Sequence, residues 1–382
     1  MLIKNTVAVH YFVLWIVAIV SFFVITNNSD SSIIQINLFT RENKQIVEKA
    51  EEIVIKKSYL PDYVRGIYLT AYSAGSDSYR ASILKKIKDS RINTVVIDIK
   101  DYSGYILYDS QIPEVQNIKA KNNHIPDLAK VLKEFHDLNI YVIARQTVFQ
   151  DPALANSRPD LAIKTYNNNT WYDKSGLAWV DPAQHEVWEY NLAIAKEAIS
   201  LGFDEINFDY MRYPSDGSIG NISYNIPEGE TKVSMLDKFF KYLSDNLTGL
   251  APISIDTFGL VMDHTDDDYD LGIGQKLSSV VQYFDYVSPM MYPSHYPLTY
   301  LGFANSAEHP YDVIAYGLEI SSSTARSSRA TIRPWLQAFN IGASYDKTKI
   351  DAQARAAEEA STTSGWLLWN ARNYYPAFIF NK

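Results

Sequence analysis

After Pro61 the chain alternates between two hydrophobic patterns. Short β-branched or aromatic runs occur at Val64–Thr70, Asn93–Lys100, Ile140–Arg145, Glu205–Asp209, Pro252–Phe258, Tyr286–Met290, Arg333–Phe339 and Trp366–Asn370. Between them lie stretches with apolar residues at helical spacing, at Tyr79–Ser90, Ile125–Leu138, His185–Ser200, Val233–Thr248 and Asp351–Thr363. Strands alternating with helices imply a parallel sheet built from crossover connections. Eight such units predict an α/β fold of the (β/α)8 TIM-barrel class, spanning residues 61–382. A doubly wound open sheet is the competing architecture. Its nucleotide-binding form carries a Gly-rich turn, and the chain has neither a G-x-G-x-x-G nor a P-loop pattern. One further run, Tyr311–Leu318, reads as extended and leaves the connection between the sixth and seventh strands open.

The N-terminus follows a different pattern. Val7 to Ile25 is apolar apart from His10 and Ser21, follows Lys4 and precedes the polar run Thr26–Ser32. Its length approaches the ~20 residues a helix needs to cross a bilayer. No Ala-x-Ala site follows it, so residues 1–27 read as a signal anchor, with secretion after signal cleavage as the alternative. Lys4 on the short side predicts a single-pass protein with its barrel on the extracytoplasmic side. Residues 28–60 read as a polar tether with a helical stretch around Glu42–Lys57.

Composition narrows the chemistry. With 47% hydrophobic and 21% charged residues the chain is an ordinary packed protein. A net charge of −9 argues against nucleic acid as a partner. The absence of cysteine excludes disulfides, thiolate nucleophiles and cysteine-ligated zinc. The acidic run around Asp263–Asp270 does not match an EF-hand, and the histidines have no metal spacing, so no metal or cofactor is assigned. The 28 Tyr and 7 Trp matter by position, because many fall near expected strand ends, where aromatic rings suit a sugar's C–H face.

In such a barrel the chemistry sits on loops at the C-terminal ends of the strands. Side chains alternate along a strand, so in the fourth strand Asp209, Asn207 and Glu205 share one face while Ile206 and Phe208 share the other. If the first set faces inward, Asp209 lies at the catalytic end and is the leading catalytic carboxylate. Asp256 near the end of the fifth strand is the candidate partner acid, since glycosidic cleavage uses a pair of carboxyl groups. Asp98, Asp101 and Asp151 are alternatives for that acid. Asp98 and Lys100 would share the inward face of the second strand, either as a structural ion pair or as substrate ligands. Arg145 at the end of the third strand is the cationic neighbour for Asp98 or Asp209. Further candidate substrate contacts are Asp101, Tyr210, Arg212, Tyr292, Trp335, Gln337, Trp369 and Asn370.

With these segments in place, the chain resembles a bacterial and archaeal family of glycoside-hydrolase-type TIM barrels. The resemblance is carried, in order, by Val95–Gly104, Tyr141–Pro152, Gly202–Pro214, Ser254–Gly259, Gly272–Gln275, Ser288–Tyr296, Arg333–Phe339 and Gly365–Asn370. It covers roughly Val64 to Pro376 and implies a barrel acting on a polysaccharide or glycoconjugate. It matches Asp209 to the fourth-strand Asp of related carbohydrate-active barrels. Met211 stands where the acid Glu of chitinase-type barrels is found, which counts against their substrate-assisted mechanism. Ala338 breaks the family's Gln-Asp-Phe pattern in the seventh strand. The expected function is hydrolysis of glycosidic bonds in an extracellular or cell-surface polysaccharide. A non-catalytic carbohydrate-binding barrel and a membrane-tethered structural or assembly protein are the alternatives.

Overall fold

The structure is a computed structural model that describes residues 60–265 and 268–381. The anchor expected over residues 1–27 lies outside the described residues, as does all of the 28–60 tether except Leu60. Among the described residues no helix is long and apolar enough to cross a membrane.

The strands form a closed parallel barrel: β1 (Val64–Leu69), β2 (Thr94–Lys100), β3 (Tyr141–Thr147), β4 (Glu205–Asp209), β5 (Ile253–Phe258), β6 (Tyr286–Met291), β7 (Trp335–Gln337) and β8 (Gly365–Trp369). Each strand pairs with the next, and β8 returns to β1 in the register Val64↔Gly365. Helices α1 (Asp77–Ile87), α2 (Leu128–His136), α3 (His185–Leu201), α4 (Lys232–Leu247), α5 (Leu277–Tyr283), α6 (Pro310–Ile320) and α7 (Lys347–Glu359) alternate with these strands. Local chemistry sets several helix ends. Asp127, Thr231 and Asp346 accept hydrogen bonds from amides three residues on, so each N-terminus is capped. Gly202, at φ 107°, closes α3 in a left-handed turn that favours glycine.

The closed sheet separates two apolar cores. The outer rows of the strands, including Val95, Ile97, Val142, Ala144, Ile206, Phe208, Ile253 and Ile255, pack with the helices. The inner rows contribute Val64, Tyr68, Val96, Tyr141, Ile143, Trp335 and Leu367. Burying one such Val, Leu or Ile side chain is worth about 1.5–3 kcal/mol. The interior is packed, not a pore. A Cβ placed on Gly66 would lie 2.4 Å from Leu367 Cδ2, so a larger residue there would force the Leu367 side chain to move. At the N-terminal end of the interior, Arg333 pairs with Glu205, which also accepts from Ser254 Oγ at 2.6 Å and from the Tyr141 hydroxyl at 3.1 Å.

Three expectations are corrected. Tyr311–Leu318 is not extended but lies within helix α6. Pro310 occupies the first turn, where its missing N–H costs nothing, and Val313, Ile314, Gly317 and Leu318 repeat at helical spacing as the buried face. The seventh strand is shorter than Arg333–Phe339. Thr331–Ile332 and Trp335–Gln337 both pair with β6, but Pro334 between them has no N–H to offer the ladder. Finally, Asp98 and Lys100 do not share the inward face. A register shift falls between them in the β2–β3 ladder and turns Lys100 toward α3.

Candidate active site

Asp209 is the last residue of β4, level with the end of β5. The ladder Asn207↔Ser254 and Phe208↔Ile255 leads up to Asp209 and Asp256 on adjacent strands. The chain then bends sharply. Tyr210 has φ 54°, uncommon for a bulky residue, and its amide donates to Asp209 Oδ1 at 2.5 Å. Such strained positions cost about 1–3 kcal/mol and cluster at functional sites. The bend presents Tyr210 and Arg212 to the mouth of the barrel.

One guanidinium organises the acids. Arg145 donates from Nη1 to Asp98 Oδ1 at 2.7 Å and from Nη2 to Asp209 Oδ2, and its Nε lies 3.7 Å from Asp256 Oδ2. The Tyr68 hydroxyl donates to the other oxygen of Asp98. Asp98 therefore works behind Arg145 and holds it in place. Burial raises the Asp98 carboxyl, with Arg145 opposing.

The two catalytic candidates sit in different surroundings. Asp209 accepts from a guanidinium and a backbone amide, the pattern of a carboxylate. Asp256 Oδ1 accepts from Asn207 Nδ2 at 2.8 Å and from Trp335 Nε1 at 2.7 Å, while no hydrogen bond reaches Oδ2 among the described residues. Burial, reinforced by the Asp209 charge and opposed by Arg145, pushes the Asp256 carboxyl from 3.8 up to about 8. Asp256 is thus a protonated acid at neutral pH. Pairs of carboxyl groups whose surroundings separate them in this way are the arrangement for general-acid chemistry.

Both acids border a cavity of about 190 Å3 lined by Arg145, Asp209, Tyr210, Arg212, Asp256, Phe258, Met290, Tyr292, Trp335 and Trp369. Asp209 is 4% exposed and Asp256 2%, so the two carboxyl groups are nearly dry. Trp369 stacks on Tyr68 with centroids 3.9 Å apart and meets Trp335 edge to face. Trp335 is fully buried, and its N–H is committed to Asp256.

Eight of the residues singled out from sequence meet at this cavity: Asp209, Asp256, Arg145, Tyr210, Arg212, Tyr292, Trp335 and Trp369. Asp98, behind Arg145, and Lys100, Asp101, Gln337 and Asn370 do not line it. Lys100 is fully buried against Asp151 at 2.7 Å. Asp101 accepts from the Ser103 amide in a turn. Gln337 bonds backbone at Ser294 and Phe339, and Asn370 bonds backbone at Ala338 and Tyr374. Asp151, an alternative for the acid, caps a short helix and holds Lys100. Met211 packs in the outer core, so its side chain contributes no acid. Phe258, Met290 and Tyr68 were not singled out from sequence. Apolar residues at strand ends look like core, and Tyr68 shows itself only through its bond to Asp98.

No curated protein matches the chain. A crystal structure of a hypothetical protein from Ruminiclostridium thermocellum is 40% identical, over 50% of this chain and 96% of that one, with a TM-score of 0.47. The PgaB (BpsB) glycoside hydrolase domain from Bordetella bronchiseptica aligns with a TM-score of 0.59 at 13% identity, over 84% of this chain and 95% of that one. Alpha-L-fucosidase isoenzyme 2 from Paenibacillus thiaminolyticus aligns with a TM-score of 0.56 at 10% identity, over 83% of this chain and 48% of that one. The last two likenesses show a shared barrel fold. Residues 66–375 match a family as a whole, and the chain belongs to that family, DUF4015, the "Putative glycosyl hydrolase domain".

Proposed function

We propose that the barrel hydrolyses glycosidic bonds in an extracellular or cell-surface polysaccharide by a two-carboxylate mechanism. The observation that carries this reading is the pair Asp209 and Asp256. They sit at the ends of neighbouring strands around one guanidinium, one surrounded as a carboxylate and the other held protonated. Asp256 passes its proton to the glycosidic oxygen as the C–O bond breaks. Asp209 meets the positive charge that develops at the anomeric carbon, and water supplies the hydroxyl of the new reducing end while its other proton returns to the carboxylate pair and restores Asp256 as the acid. Arg145 positions both groups, and Tyr210, Tyr292 and Trp369 offer ring surface to the sugar. The family assignment supports this chemistry. The apolar run Val7–Ile25 supports an extracytoplasmic location. Mere sugar binding is the weaker reading, because it needs no protonated acid beside a carboxylate.

The test is a panel of bacterial polysaccharides incubated with the purified full chain, with release of reducing ends as the readout. Asp209→Asn is expected to abolish release while the chain still folds and retains glycan, with a lowered Tm because the amide can accept from only one of the two donors that Asp209 satisfies. Turnover retained by Asp209→Asn removes Asp209 from the mechanism.

A further inference from the structure

Arg212 is the second cation lining the cavity, and its surroundings differ from those of Arg145. Three aromatic rings box it in, with its guanidinium carbon 4.9 Å from the Trp179 centroid, 5.2 Å from Tyr210 and 4.7 Å from Phe258. Nη1 donates to the Tyr213 carbonyl at 3.0 Å and to Ser215 Oγ at 3.2 Å. Nε and Nη2 make no hydrogen bond, and the residue forms no ion pair, among the described residues. Asp209, Asp216 and Asp173 act on it only through space. Arg212 is 9% exposed, and its unbonded Nε and Nη2, unlike the sealed Nε and Nη1 of Arg333, are not closed off from solvent.

A largely buried cation with an open, unbonded edge is placed to receive a partner. A buried charge is normally paired and hydrogen-bonded. Cation–π contacts offset part of the cost, about 0.5–2 kcal/mol each, but rings carry no formal charge. The planar fork is pre-organised by the rings and by its two Nη1 bonds. A guanidinium fork fits an oxyanion with two parallel N–H donors, which a neutral hydroxyl cannot match.

We infer that Arg212 is a specificity-determining residue and that its uncommitted edge receives an anionic substituent, carboxylate or sulfate, on the glycan, so that the cavity selects acidic over neutral sugars. This inference rests on the reading of the cavity as a glycan-cleaving site and names its substrate class.

The test pairs acidic bacterial polysaccharides with neutral derivatives of the same chains, made by reducing carboxyl groups to alcohols or by removing sulfate esters. Binding and turnover by the purified full chain are measured on each pair. The expected result is at least a tenfold preference for the acidic member. Arg212→Gln lowers kcat/KM on that member by about 10- to 100-fold, the scale of a charge-assisted hydrogen bond, mainly through KM, and by a clearly smaller factor on the neutral member, so that the acidic-to-neutral ratio falls. Arg212→Lys keeps the charge but not the fork, and retains part of the preference. If Arg212→Gln fails to fold, a reduced acidic-to-neutral ratio in Arg212→Lys decides the matter. Equal use of both members, or a preference that survives the substitutions, overturns the assignment of Arg212 and leaves the hydrolase reading standing. Arg212-dependent binding of acidic members without turnover upholds the assignment and sinks the hydrolase reading. Neither binding nor turnover on any pair sinks both.

Discussion

Trp335 Nε1 donates to Asp256 Oδ1 at 2.7 Å, tying β7 to β5 across the intervening β6. The bond stabilises the charged form of Asp256, so it works against the burial that keeps the acid protonated. Trp335→Phe removes the donor and keeps an aromatic ring in the interior. The Asp256 carboxyl is expected to rise further, and the alkaline limb of the kcat/KM profile should move to higher pH. A limb that stays where it was would show that Trp335 does not tune this acid.

Asp256 also predicts a pH dependence of stability. Its folded carboxyl titrates at about 8 instead of 3.8, so between those values the folded state holds a proton that the unfolded state has lost. Stability must then fall as pH rises through this window. Asn has the shape of the protonated acid, and its Oδ1 can accept from Asn207 and Trp335 as before. Asp256→Asn is therefore expected to flatten the Tm-against-pH curve from about pH 4 to 8, with its largest gain over wild type at the alkaline end, while turnover is lost. Parallel wild-type and variant curves across this range would contradict the raised acid.

The alternation that places Asp209, Asn207 and Glu205 on one face was readable, because β4 is regular and bounded by Gly202 and the Tyr210 bend. The same rule failed for Lys100. A register shift is invisible in a run whose residues are all buried, as those of β2 are. The aromatic strand ends at Tyr292, Trp335 and Trp369 were legible as a group, but not the role of each. Trp335 serves as a hydrogen-bond donor because β7 sets its indole against Asp256, a tertiary fact. Gln337 and Asn370 looked like sugar ligands, yet nearby loops consume their amides, since irregular backbone at a barrel rim needs partners. Tyr311–Leu318 is ambiguous in sequence because apolar residues in a short run fit either period, and Pro310 is what marks it as a helix start.

Lys100 gives a direct check on that correction. Its ammonium pairs with Asp151 and faces Asn191 Oδ1 at 3.3 Å, away from the cavity. Lys100→Met leaves the buried Asp151 carboxylate without its cation and is expected to cost about 3–5 kcal/mol of unfolding free energy. Lys100→Met combined with Asp151→Leu should recover much of that loss, because the two residues form one unit. KM should barely change in either variant that folds. A KM rise without loss of stability would restore Lys100 as a substrate ligand.

The floor of the barrel is linked to the acids by a short relay. Ser254 Oγ donates to Glu205, while Asn207 Nδ2 donates to both Ser254 Oγ and Asp256 Oδ1. Glu205 is also the partner of Arg333, whose Nε and Nη1 have no hydrogen bond among the described residues and whose guanidinium lies 4.1 Å from the Tyr286 centroid. Glu205→Ala strands a fully buried cation and is expected to lower the unfolding free energy by about 3–5 kcal/mol in denaturant titrations. Glu205→Gln removes the charge but keeps an acceptor for Ser254, so Asn207 retains its orientation. Glu205→Gln should therefore lose stability while its alkaline limb stays at the wild-type pH. A limb that shifts in Glu205→Gln would mean that the floor charge reaches Asp256 through space and not through the relay.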